Sequence, residues 1–252
     1  MGLTFGSLFA GIGGFDLGFE RAGMQCRWQV EIDPFANRVL AKHWPNVRRW
    51  PDVRTWPQPD TERVDVICGG FPCQDISYAG AGAGLDGERS GLFFEAVRVV
   101  RELRPRIVVL ENVAALLTRG LDRVLGTLAE VGYDAEWHCI PASAVGAAHR
   151  RDRAFVVAYA NGNGMEGCWD GIIAGPIGQG WKSREAFVPN SDSTWGDINI
   201  GPGEGCSLIS GDDDGVPNWV DRVRCCGNAV VPQVAELIGR RIVEAANNGN
   251  AE

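Results

Sequence analysis

Cys73 is the residue best placed to act as a nucleophile. It follows the apolar run Val64 to Cys68 through the stretch Gly69-Gly70-Phe71-Pro72. A buried strand that ends in a glycine-softened turn projects its next side chain into the crevice at the carboxyl edge of an open α/β sheet, where such folds bind ligands. One cysteine among eight would ordinarily be read as packing, since free cysteine is among the most buried residue types. The neighbourhood argues otherwise, because a second apolar run, Ile107 to Leu110, ends in the turn Glu111-Asn112-Val113 and brings a carboxylic acid to the same edge. An unperturbed thiol, with a pKa of about 8.5, is only a few per cent ionised at neutral pH and gains from a nearby base or positive charge. Ala148-His149-Arg150-Arg151-Asp152-Arg153 offers positive charge just before the apolar strand Ala154 to Ala158.

A sheet must hold these groups. Thr4 to Phe9 reads as a first strand, Gly11, Gly13 and Gly14 as a tight turn, and Phe15 to Ala22 as a helix, which together make a nucleotide-binding beginning. Asp16 stands where a dinucleotide fingerprint needs its third glycine, which argues against a nicotinamide oxidoreductase. Cys26 to Val30 reads as the second strand, and Glu31 ends it 20 residues after Gly11, the spacing at which an acid reaches ribose hydroxyls. Asp33 before Pro34 reads as a helix N-cap, not a ligand. From Leu92 a helix runs with apolar residues 93, 96, 97, 100 and 103 on one face until Pro105 stops it, leaving Arg98, Arg101 and Arg104 as a solvated face. Val231 to Ala246 reads as an amphipathic closing helix with Val234, Leu237, Ile238 and Ile242 inward. Alternating strands and helices of this kind predict an α/β fold with a mostly parallel central sheet flanked by helices.

The 252 residues suffice for one well-buried α/β core and a small attachment. With no apolar run of membrane-spanning length and no leader pattern, a soluble, cytoplasmic, reduced protein is expected. No Cys-x-x-Cys pair has zinc-like spacing, the adjacent Cys225-Cys226 is poorly placed for a disulfide, and no metal is expected. A net charge of −8 has the wrong sign for a nucleic-acid binder. Its distribution tempers this, because all but Lys42 and Lys182 of the 24 cations are arginines, whose planar guanidinium suits phosphate and base contacts, and many of them cluster.

Phe9-Ala10-Gly11-Ile12-Gly13-Gly14, the Cys73 and Glu111 turns, the arginine segment and Gly227-Asn228-Ala229-Val230-Val231-Pro232, taken in this order, resemble the cytosine-5 DNA methyltransferase family. The resemblance spans residues 4 to about 158 and about 216 to 246. It implies a Rossmann-like S-adenosylmethionine-dependent fold with S-adenosyl-L-methionine as cofactor and S-adenosyl-L-homocysteine as product. It implies cofactor contacts from Phe9, Gly11, Gly13, Gly14 and Glu31, from Asp52 and Val53 at the adenine, and from Pro72, Leu92, Asn228 and Val230. The partner implied is double-stranded DNA, met by a protein expected to be monomeric and nucleoid-associated.

In the chemistry so implied, Cys73 adds to carbon 6 of a cytosine swung out of the duplex, carbon 5 takes the methyl group, and loss of its proton expels the thiolate. Glu111 stabilises charge developing at ring nitrogen 3, Arg153 binds the carbonyl at carbon 2 and holds Glu111, and Arg151 completes the arginine pair. His149 stands where the family usually has glutamine, and is expected with Ser77 and Arg89 to face DNA. Ser77 to Gly91, with five glycines, reads as a loop closing over the site, though it has alanines where basic residues are common in the family. The expected organisation is a catalytic part over 1–160, a short, irregular target-recognition insert over 161–215 with only Lys182 and Arg184 as cations, and a return segment over 216–252. A transfer-RNA cytosine methylase and a DNA-binding homologue with impaired turnover stay open as alternatives, as does the purpose, whether restriction protection, phage evasion or regulation.

Overall fold

The computed structural model describes residues 2–72, 91–147, 149–161 and 225–248. Cys73, Ser77, Arg89 and the insert over 161–215 therefore lie, wholly or almost wholly, outside the described residues. Among those described, strands β1 (Thr4–Leu8), β2 (Gln25–Val30), β3 (Arg48–Trp50), β4 (Val66–Gly70), β5 (Ile107–Val113), β6 (Tyr133–Pro141) and β7 (Asp152–Ala160) form one sheet in the order β3-β2-β1-β4-β5-β7-β6. The first five run parallel, and β7 lies antiparallel between β5 and β6. The chain builds outward from β1 through β2 and β3, then crosses to the other side of β1 for β4. That reversal opens a crevice at the carboxyl ends of β1 and β4.

Both faces of the sheet are covered, which is why its central strands are apolar runs without polar alternation. Val108 and Leu110 of β5 pack on α3 (Leu92–Leu103) and on α5 (Leu121–Glu130), which follows the short α4 (Leu116–Arg119), while Ile107 and Val109 face α1 (Gly14–Arg21) and α6 (Pro232–Asn248). Helix α6 returns from the far end of the chain to lie beside α1. The two approach closely at Gly18, where a Cβ would stand 2.5 Å from the Pro232 carbonyl oxygen and from the Ala235 Cβ. Helix α3 buries Phe93, Ala96, Val97, Val100 and Leu103, the apolar face read from its period. In α6, Val234, Ile238 and Ile242 are buried as read, Ala235 joins them, and Leu237 is only partly buried.

Two boundaries differ from the sequence reading. Gly69 and Gly70 are the last residues of β4, not the turn after it, and Glu111-Asn112-Val113 completes β5. At Gly69 a side chain would collide with the neighbouring strand, since its Cβ would lie 2.8 Å from the Leu8 carbonyl oxygen. Glu111 to Val113 stay extended because β7 pairs with them, Glu111 opposite Phe155 and Val113 opposite Arg153. Arg98 and Arg104 are also not merely solvated. The Arg98 side chain is 27% exposed and bonded to backbone across the fold, and Arg104 donates to the Val131 carbonyl and lies over the Tyr133 ring.

Asp16 occupies the position where close packing would favour glycine by turning its carboxyl under the sheet. Gln29 Nε2 (2.7 Å), Ser7 Oγ (3.1 Å) and Cys26 Sγ (3.5 Å) donate to it, tying α1 to β1 and β2. Burial outweighs these bonds and pushes its pKa up from 3.8 to about 6. Ionisation is therefore harder in the fold than in the unfolded chain, and the stability present below the ordinary aspartate range is lost as pH rises through about 6. Relative to wild type, Asp16→Asn should gain stability between about pH 4 and about pH 7.5, by up to roughly 3 kcal/mol at 1.36 kcal/mol per unit. Urea midpoints at the two pH values measure this, and a pH-independent difference contradicts it.

Candidate active site

A cavity of about 730 Å³ opens at the carboxyl edge of the sheet. The structure brings ten of the expected site residues to its wall: Phe9, Gly11, Glu31, Asp52, Val53, Pro72, Leu92, Glu111, Arg153 and Asn228. Gly13, Gly14, Val230, Arg151 and His149 do not line it. Gly13 precedes α1 with φ of 89° and packs beneath it against Trp44. Gly14 and Val230 meet each other under the turn, and His149 is exposed.

At one end of the cavity Glu111 is 6% exposed. It sits beside Gly70 of β4, where a Cβ would lie 2.8 Å from Oε2, so glycine leaves room for the carboxyl group. Arg153 Nε stands 2.9 Å from Oε1, close enough for an ion pair but not aligned for a hydrogen bond. Among the described residues, Oε1 is thus a buried oxygen held by an ion pair but with no aligned hydrogen bond, an arrangement that is costly unless a ligand completes it. Desolvation raises the acid to about 7, against the opposing pull of Arg153 and then Arg151. Near neutral pH this carboxyl can give or take a proton.

Asn112 was not singled out from the sequence, yet it joins the two strand ends. Its Nδ2 donates to the Phe71 carbonyl (3.2 Å) while its Oδ1 accepts from the Val113 amide (2.8 Å). The backbone just before Pro72 is thereby fastened to the strand that carries Glu111. A polar residue continuing an apolar strand was the available signal.

At the other end, Glu31 accepts from the Gly11 amide through Oε2 and from the Asp33 amide through Oε1, both at 2.7 Å. Burial raises its pKa above the usual glutamate value, and the backbone bonds restrain the rise. Its carboxylate thus shapes the turn after β1, where Phe9 holds φ of 51°, as well as facing the cavity. Asp33 caps α2 (Pro34–His43), accepting from the Phe35 and Ala36 amides at 2.8 and 3.0 Å. Ile32 between them is 64% exposed and lines the cavity, an apolar wall that the sequence reading passed over.

Asp52 caps a 3-10 turn, Val53–Thr55, by accepting from the Arg54 amide at 2.9 Å. Both of its oxygens also take donors from the Arg54 guanidinium, which holds the acid below its ordinary value. The Val53 amide stands first in that turn, where an N–H finds no partner within the turn itself. Among the described residues, Arg54 and Arg153 are the cations lining the cavity, and each is ion-paired to a carboxylate.

Arg151 reaches away from the cavity with φ of 34°, and its Nη2 donates to the carbonyls of Gly227 (2.8 Å) and Ala229 (2.7 Å). It braces the asparagine turn against the sheet. Arg151→Ala should lower stability by about 1.5–3 kcal/mol, the range for bonds to a charged group. Hydrogen exchange should then quicken at residues 228–231 and stay unchanged in β1 and β4, and unaltered exchange at the turn contradicts the brace.

The sequence profile of the C-5 cytosine-specific DNA methylase family matches residues 3–195. Among curated relatives, Type II methyltransferase M.Eco47II of Escherichia coli is 37% identical over 161 residues, 61% of this chain and 39% of the relative. Type II methyltransferase M.HhaI of Haemophilus parahaemolyticus is 32% identical over 164 residues, 64% of this chain and 50% of the relative. The aligned part of the chain thus spans half or less of the length of these relatives. A crystal structure described as a DNA modification methyltransferase encoded within a prophage (E. coli) is similar at 27% identity with a TM-score of 0.54, covering 63% of this chain and 47% of that one. Spodoptera frugiperda DNMT2 shares the fold at 21% identity and a TM-score of 0.53, covering 64% of this chain and 51% of that one. With a seven-stranded, mostly parallel sheet, a buried glutamate beside an arginine at its edge and a family profile matching most of its length, this chain belongs to the C-5 cytosine-specific DNA methylase family.

Proposed function

We propose that the protein transfers a methyl group from S-adenosylmethionine to carbon 5 of a cytosine swung out of duplex DNA. The observation that carries this reading is the buried Glu111, ion-paired to Arg153 but with no aligned hydrogen bond to Oε1 among the described residues, facing a cavity next to the strand end that leads to Cys73. A pyrimidine edge offers what that pair lacks: ring nitrogen 3 for Glu111 and a carbonyl oxygen for Arg153. Cys73 attacks carbon 6 and is expelled when carbon 5 loses its proton, and Glu111 in its protonated form neutralises charge on nitrogen 3 as the attack proceeds.

The other end of the cavity fits an adenosyl group. Glu31 is an acid at ribose distance from the first turn, Ile32 gives an exposed apolar wall, and the Val53 amide and Asp52 face the same space. Among the described residues, neither cation on the wall is free for a phosphate, which agrees with a ligand that has none. When bound, S-adenosylmethionine supplies an electrophilic methyl group on a positively charged sulfur. Gly11, Leu92 and Asn228 complete its binding surface, and Asp52 accepts from the adenine amino group alongside Arg54. Residues 161–215 form the target-recognition insert, with Ser77, Arg89 and His149 on the DNA side. The protein acts as a cytoplasmic restriction-modification type enzyme.

Replacing Cys73 by serine should abolish transfer while leaving cofactor affinity within about twofold, and Glu111→Gln should slow transfer at least about tenfold, equal to about 1.4 kcal/mol of transition-state stabilisation. Duplex DNA carrying 5-fluorocytosine at the target, incubated with cofactor, should leave the protein covalently bound through Cys73. Bisulfite sequencing of DNA from expressing cells identifies the target. An active preparation that forms no adduct refutes the mechanism, and methylation of transfer RNA but not DNA would redirect the substrate assignment.

A further inference from the structure

Resting on that reading, we propose that Arg98 is a positioning residue that sets the width of the adenine end of the cavity. Arg98 lies on α3, six residues after Leu92, and does not itself line the cavity. Its guanidinium nonetheless joins the two walls. Nη2 donates to the carbonyls of Val53 (2.7 Å) and Trp56 (2.6 Å), the first residue and the C-cap of the 3-10 turn that presents Asp52 and the Val53 amide. Nε bonds Glu95 Oε2 (2.8 Å) and Nη1 bonds Glu102 Oε1 (2.9 Å), both on its own helix.

Glu95 and Leu92 line the cavity from α3, while Asp52 and Val53 line it from the 3-10 turn. Arg98 is therefore the polar link that fixes one wall against the other. Packing alone gives the turn a floor, since Trp56 stacks on Trp28 (centroids 4.4 Å apart) and Trp50 (5.7 Å), but aromatic contact is tolerant of sliding. A planar guanidinium with its donors in fixed directions is not so tolerant. By grasping the two carbonyls that bracket the turn, Arg98 fixes the direction in which the Val53 amide and the Asp52 carboxylate face. The two glutamates more than offset its charge, so it acts through geometry and presents no positive charge to the ligand. A lysine in its place would keep the charge but lose the directional fork.

Titration of S-adenosylmethionine into wild type, Arg98→Ala, Arg98→Lys and Glu102→Gln, with steady-state kinetics on the same proteins, tests this. Arg98→Ala should weaken cofactor binding about tenfold or more, with KM for the cofactor rising in step and kcat at saturation within about threefold of wild type. Arg98→Lys should fall between, and Glu102→Gln, which keeps both carbonyl bonds, should bind within about twofold of wild type. Unchanged affinity in Arg98→Ala overturns the proposal and leaves the reading of the activity intact. A kcat that falls as far as the affinity overturns it too, because that is the mark of a general structural role. Should Arg98→Ala fail to fold, Arg98→Lys decides, with binding at least about threefold weaker expected and unchanged binding contradicting the proposal. Wild-type protein that binds no S-adenosylmethionine removes both the proposal and the reading beneath it.

Discussion

A carboxylic acid taken out of water and left incompletely bonded is the constraint around which this fold is arranged. Glu111 sits in the sheet, between Gly70 and Phe155, with a guanidinium beside it that is close yet misaligned. Burial drives the group toward its neutral form, and Arg153 and Arg151 drive it toward its charged form. The outcome near neutrality is a balance, so that either protonation state is accessible when a ligand arrives. Such a site is expensive to maintain, and the surrounding structure shows how it is held. The missing side chain at Gly70 makes room, antiparallel β7 brings Arg153 opposite the strand end, and Asn112 ties the neighbouring backbone to the same strand.

The same logic extends to the cofactor end. There, acids are used as struts before they are used as ligands. Glu31 holds two backbone amides, Asp33 caps α2, Asp52 caps its own turn, and Asp16 gathers three donors beneath the first strand. Each carboxylate removes the freedom of a loop that must face a ligand, which reduces the ordering left to be done on binding. The arginines do the complementary work on carbonyls. Arg151 grips the turn before α6, and Arg98 grips the turn before Trp56. Among the described residues the charged side chains of the cavity wall are mostly acidic, and several of the chain's arginines hold backbone in place instead of lining it.

Much of this was legible in the residues. The unbroken apolar runs gave β4 and β5, the 3.6 period gave the buried face of α3, and Asp33-Pro34 gave the start of α2. What could not be read was set by partners distant in sequence. Glu111 to Val113 reads as a turn until β7, more than thirty residues on, pairs with it. Arg98 reads as a solvated helix residue until the 3-10 turn, more than forty residues before it, supplies two carbonyls. Asn112 and Ile32 carried no spacing signal, since one acts on a single carbonyl and the other simply stands exposed at a cavity rim. Arg151 matched a motif by position, but its direction is fixed by a turn that only the folded chain brings near.

The most direct test of this account is the titration of Glu111 itself. Carbon-13 NMR of protein labelled at the glutamate side-chain carboxyls, with the resonance assigned by its loss in Glu111→Gln, should show one carboxyl titrating at about 7. A Glu111 resonance that titrates in the ordinary glutamate range, near 4.5, would mean that the carboxyl is solvated or fully paired, and would contradict the claim on which the rest of the site is built.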